Sequence, residues 1–133
     1  ISGYANIEIV ELKESKLPAN PSASDENAVL IREGQNILSK IKDNDHVIAM
    51  EVEGEQLDSV ELAKKIQHAF DTKSSTIDFV VGGSLGLSDE VKKRADYGLS
   101  FSKLTFPHQM ARIMLLEQIY RAFKINSGET YHK

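Results

Sequence analysis

No cysteine occurs in the 133 residues, which excludes disulfides and thiolate metal sites and fits a reducing, cytoplasmic compartment. No apolar run approaches the ~18 residues that span a bilayer, and no signal-peptide pattern is visible, so no membrane partner is expected. A net positive charge is also missing. The balance is -4, which argues against a generic nucleic-acid binder. The chain opens on Ile1-Ser-Gly-Tyr4 without a methionine, as the interior of a longer protein would. One domain is expected over residues 1–133, with an N-terminal piece missing.

The charge that is present is unevenly placed. Ile1 to Val91 holds 8 Lys/Arg and 17 Asp/Glu, whereas Lys92 to Lys133 holds 8 and 3. A basic C-terminal third on an acidic chain suggests an anion-facing surface; the competing explanation is helix ends that attract cations.

Apolar periodicity gives four strand–helix pairs. Asn6 to Leu12 alternates as a half-exposed strand. A loop over Lys13 to Ser24 leads to Asp25, the expected cap of a helix carrying Val29, Ile31, Ile37, Leu38 and Ile41. Gly34 inside that helix costs about 1 kcal/mol relative to Ala. His46 to Val52 reads as a strand buried on both faces, turned at Glu53-Gly-Glu55. Asp58 or Ser59 caps a helix with a stripe of Val60, Leu62, Ala63, Ile66, Ala69 and Phe70. Ile77 to Val81 is a strand, Ser88 caps a short helix, and Tyr97 to Phe101 is the fourth strand. Thr105 is the expected cap of a last helix running to about Lys124. This alternation specifies an α/β fold with a mostly parallel sheet and helices on both faces.

Ligands in such folds sit beyond the carboxyl ends of the strands. That rule selects Met50 to Gly54, Gly82 to Gly86, and Phe101 to Phe106. Gly82-Gly83-x-x-Gly86 is neither a Walker sequence nor a dinucleotide fingerprint. It is either a tight turn or a place where backbone approaches a flat ligand closely. The four histidines are scattered and no His-Glu-x-x-His occurs, so no metal is expected. No Gly-x-Ser-x-Gly elbow surrounds a serine. His108 and Arg112, four apart, share a helix face that is either catalytic or surface. The last helix is apolar almost all round, which suits a central core helix or a homodimer contact. The terminal Tyr131-His-Lys133 is either a frayed tail or a device that stacks on a base and holds its phosphate.

Gly82-Gly83-Ser84-Leu85-Gly86-Leu87, Leu99-Ser-Phe-Ser-Lys-Leu-Thr-Phe-Pro-His-Gln-Met110, Glu117-Gln-Ile-Tyr-Arg-Ala-Phe123 and Tyr131-His-Lys133 together resemble the ribosomal RNA large subunit methyltransferase H family of SPOUT methyltransferases. The resemblance implies a strand and helix before this chain begins, a deep trefoil knot at the C-terminal side, a homodimer, and S-adenosyl-L-methionine held in the knot. The implied reaction is N3-methylation of a pseudouridine in a hairpin of large-subunit rRNA within the ribosome. Cofactor contacts are implied at Met50, Gly82 and Phe101-Ser102-Lys103-Leu104-Thr105-Phe106. On that premise Arg112 stabilises charge developing on the target imide, His108 or His132 accepts its proton, and Tyr131 stacks on the base. The alternatives are a non-enzymatic nucleotide- or ribosome-binding module, and a SPOUT enzyme that modifies tRNA.

Overall fold

In the computed structural model, the run His46-Val-Ile-Ala-Met forms the start of the central strand, β1 (His46–Gln56). Residues 16–72, 75–83 and 85–129 are described, except for the side chain of His108. The expected strand Asn6 to Leu12, Ser84, and the tail residues Tyr131 and His132 lie outside them. β1 pairs in parallel with β2 (Ile77–Val80) on one side and β3 (Tyr97–Ser100) on the other, giving the order β2-β1-β3.

Successive β1 side chains point to opposite faces, and both faces are covered. Ile48 joins Leu62, Ala63, Ile66, Leu99 and Ala122 under α2 (Ser59–Thr72) and α4 (His108–Asn126). Val47 and Ala49 join Val80, Leu87 and Val91 on the other face, under α1 (Ala23–Ser39) and α3 (Asp89–Arg94). The expected α/β architecture, a parallel sheet between two helical layers, is therefore present.

The details differ at the caps. The N-cap of α1 is Ser22, and Asp25 is the third helical residue of a capping box. Asp25 N donates to Ser22 Oγ at 3.1 Å and Ser22 N to Asp25 Oδ2 at 3.0 Å. Serine before an acidic N3 residue outcompetes a bare aspartate because two orphan donors are satisfied at once. Asp58 and Glu61 form the same box at α2. Ser88 caps α3 as expected. Pro107, not Thr105, precedes α4; its fixed φ of -54° sets the entry, and no side chain caps it. Gly34 has a packing reason: a β-carbon there would collide with Ser88, which ties α1 closely to α3.

Candidate functional site

Three strand exits meet at the carboxyl edge of the sheet. The register sets Ala49 against Val80 and Met50 against Leu99, so the ends of β2 and β3 flank β1 just past Met50. β1 does not turn away at Glu53. It slips by five residues, so that Met50 and Glu55 both oppose Leu99, and it continues to Gln56 beside Ser100. Gly54 permits the slip. A β-carbon there would lie 2.8 Å from the Gly98 carbonyl, so the bulge packs backbone to backbone on β3.

After β2 the chain folds tightly back on itself. Gly86 N donates to Gly83 O at 3.0 Å, and Gly86 takes φ +81°. Gly82 is pressed against Gly86: its β-carbon would lie 2.6 Å from the Gly86 carbonyl carbon. The turn thus leaves bare backbone at the edge where a ligand would lie.

The third exit is shaped by serines. Buried Ser100 donates its hydroxyl to Ser102 O at 2.9 Å, and Leu104 N donates to Ser102 Oγ at 3.1 Å. Phe101, Ser102 and Phe106 are half-buried along this loop; Lys103, Leu104 and Thr105 are exposed.

Beside this exit lies a cavity of about 580 Å³ between the start of α2, the end of β3 and the middle of α4. Leu57, Leu99, Phe101 and Met114 form apolar wall, and Ser59, Glu117 and Gln118 supply polar groups. Ser59 Oγ donates to Gln118 Oε1 at 2.7 Å, and Gln118 Nε2 donates to Glu117 Oε1 at 3.1 Å. Arg121 grips both Glu117 oxygens, from Nε at 3.1 Å and from a terminal nitrogen at 3.0 Å. The chain of bonds fastens α4 to the first turn of α2 and compensates the one carboxylate within it.

The expected site residues divide around this geometry. Phe101 lines the cavity, and Met50 packs on the same apolar cluster as Leu57 and Leu99. Gly82 lies at the neighbouring strand exit. Lys103, Leu104 and Thr105 are not in the cavity wall. Arg112 is half-buried on α4. At 3.6 residues per turn it sits about 120° or more around the helix from Met114, Glu117 and Gln118, so it does not share their face. His108 is the first residue of α4. Ser59 and Gln118 line the cavity and were not among the expected site residues. Their only signal is polarity: Glu117-Gln118 interrupts a helix that is otherwise apolar nearly all round.

The basic excess after Val91 is partly spent inside the molecule. Arg94 donates to the carbonyls of Lys42 and Asp45, each at 3.0 Å, holding the turn before β1. Arg121 is paired with Glu117, and Lys124 with Glu129. Lys92, Lys93 and Lys103 remain exposed.

Two groups have displaced pKa values away from the cavity. Asp78, at the amino end of β2, is pushed up to about 7, first by burial and then by the neighbouring Asp45 carboxylate. Burial, followed by Glu55, pushes the Tyr97 phenol up to about 12, while Lys65 Nζ lies 3.8 Å from the centre of its ring. Among the described residues no three His, Cys, Asp or Glu side chains are grouped to hold a metal ion. No described helix is long and apolar enough to cross a membrane.

The family described as "Predicted SPOUT methyltransferase" matches residues 1–132. Over 133 residues the chain is 54% identical to ribosomal RNA large subunit methyltransferase H 1 of Clostridium perfringens. It is 53% identical to ribosomal RNA large subunit methyltransferase H of Clostridioides difficile and 51% identical to that of Clostridium botulinum. Each comparison covers all of this chain and 84% of the relative.

Proposed function

The chain belongs to the SPOUT methyltransferases, in the family of ribosomal RNA large subunit methyltransferase H, and from that premise we propose that it methylates N3 of a pseudouridine in large-subunit rRNA, using S-adenosylmethionine. The observation that carries the assignment to this edge of the sheet is Gly82. Its missing side chain lets the Gly86 backbone close on it, so that bare backbone stands at this edge, with the Met50 exit of β1 beside it and the Phe101 exit of β3 beyond. That is the shape a flat nucleoside needs.

The residues fit such a donor. Backbone at Gly82 and along Phe101 to Phe106 holds adenine and ribose, and Met50 supplies an apolar wall. When bound, S-adenosylmethionine supplies a methyl group made electrophilic by its sulfonium. The protein must present the base imide and remove the N3 proton. His108 or His132 accepts that proton, Arg112 stabilises the negative charge left on the imide, and Tyr131 stacks on the ring.

α4 turns Arg112 away from the cavity of its own chain, so a second copy is the natural source of the arginine. An exposed apolar strip at the start of α4, Met110 at 50% and Ile113 at 68%, supports a homodimer there. The setting is the cytoplasm, where ribosomes are found.

Arg112→Ala tests the charge-stabilising role. Methyl transfer at saturating ribosomes should fall about 10²-fold or more, with affinity for S-adenosylmethionine retained. Unchanged turnover would remove Arg112 from the mechanism.

A further inference from the structure

We propose that the cavity beside the β3 exit receives the base to be methylated, and that Ser59 and Gln118 are the residues that read it. This rests on the methyltransferase reading above and adds to it a place for the substrate base.

The cavity adjoins the loop assigned to the cofactor, and Phe101 belongs to both. A ring held there lies next to the adenosine site rather than in it. Its walls suit a flat ring: Leu57, Leu99 and Met114 are apolar, and Phe101 adds an aromatic surface. A flipped base is read in such pockets by hydrogen bonds to its edge and by contact with its faces.

The polar groups select the ligand by charge. Both Glu117 oxygens are engaged by Arg121, so the carboxylate is compensated before any ligand arrives. Asp58 also lines the cavity, and none of the described lining residues is a lysine or arginine. A phosphate or carboxylate is therefore disfavoured, and a neutral heterocycle is favoured.

Gln118 spends its oxygen on Ser59 and one N–H on Glu117. One amide N–H and the lone pairs of the Ser59 hydroxyl are left for a ligand. A pseudouridine presents the complement along its N1–C2 edge, the C2 carbonyl acceptor beside the N1–H donor, which leaves N3 to the methyl donor. In uridine and cytidine N1 carries the ribose and has no hydrogen, so the Ser59 hydroxyl would lose its donor. Because Glu117 and Ser59 brace the amide from both ends, Gln118 is oriented before the base enters.

The test uses the full-length enzyme with Gln118→Leu and Ser59→Ala, each checked by thermal unfolding. Calorimetry gives affinity for S-adenosylmethionine, and methyl transfer to ribosomes gives kcat and KM. Both variants should bind S-adenosylmethionine within about twofold of wild type. Their kcat/KM for ribosomes should fall about tenfold or more for Gln118→Leu and less for Ser59→Ala. A parallel loss of S-adenosylmethionine affinity would overturn the proposal, because the cavity would then be part of the cofactor site. Unchanged kcat/KM in folded Ser59→Ala and Gln118→Leu would overturn it equally. A wild-type protein that binds no S-adenosylmethionine overturns the methyltransferase reading, and this proposal with it.

Discussion

Gly82 and Gly86 sit four residues apart in one turn, yet they should fail for different reasons when replaced. At Gly82 the obstacle is space. A β-carbon would lie 2.5 Å from Gly86 O, 2.6 Å from its carbonyl carbon and 3.1 Å from its α-carbon. All three are backbone atoms, so no side chain can swing aside. Overpacking of this kind costs about 1–3 kcal/mol. The relief available is to open the turn, and the turn is the proposed cradle. At Gly86 no atom of the described residues lies within 4 Å of an added β-carbon, and the obstacle is φ +81°. An alanine forced into that region costs about 1–2 kcal/mol, and asparagine costs less. Gly82→Ala should therefore weaken S-adenosylmethionine binding about tenfold, the equivalent of ~1.4 kcal/mol, and lower the melting temperature by a few degrees. Gly86→Asn should lie closer to wild type than Gly86→Ala, whereas Gly82→Asn should be no better than Gly82→Ala. Calorimetric titration and thermal unfolding of the four variants measure both effects. If Gly82→Ala binds and melts like wild type, the close approach at Gly82 has no bearing on the site.

Two further predictions concern stability and assembly. Asp78 ordinarily titrates at 3.8 and is raised to about 7 in the folded chain, so the folded state holds an extra proton between those values. Stability should then fall as pH rises from about 4 to about 7, and Asp78→Asn should flatten that slope in urea titrations run at successive pH values. A wild-type stability that does not decline over this range would contradict the buried, proton-sharing arrangement with Asp45. Ile113→Asp places a charge on the exposed apolar strip of α4 and should shift sedimentation from dimer toward monomer without unfolding the chain; a monomeric wild type would refute the homodimer.

Much of the fold was legible because burial leaves a periodic trace. The uninterrupted Val47-Ile-Ala49 run announced a strand covered on both faces, and the α2 stripe of Leu62, Ala63, Ile66 and Ala69 is the buried face observed. That Gly82 and Phe101 stand at strand ends was readable from the element order alone. The slip in β1 was not legible. Glu53-Gly-Glu55 has the composition of a turn, and what keeps it in the sheet is the contact of Gly54 with Gly98, 44 residues away in sequence. The cavity was hidden for the same reason. Ser59 and Gln118 are unremarkable residues on separate helices, and only their 2.7 Å hydrogen bond across 59 positions makes them a pair. The position of Arg112 shows the converse limit. Spacing placed it on one face with His108, but spacing could not say whether that face looks toward the cavity.

The proposed reaction places a methyl group on N3 of a pseudouridine in large-subunit rRNA. Methyl transfer from labelled S-adenosylmethionine to 70S ribosomes, free rRNA and tRNA tests it most directly. Label should appear in large-subunit rRNA of assembled ribosomes, at N3 of a pseudouridine. Label in tRNA alone, or no transfer to any of the three by a folded full-length enzyme, would contradict it.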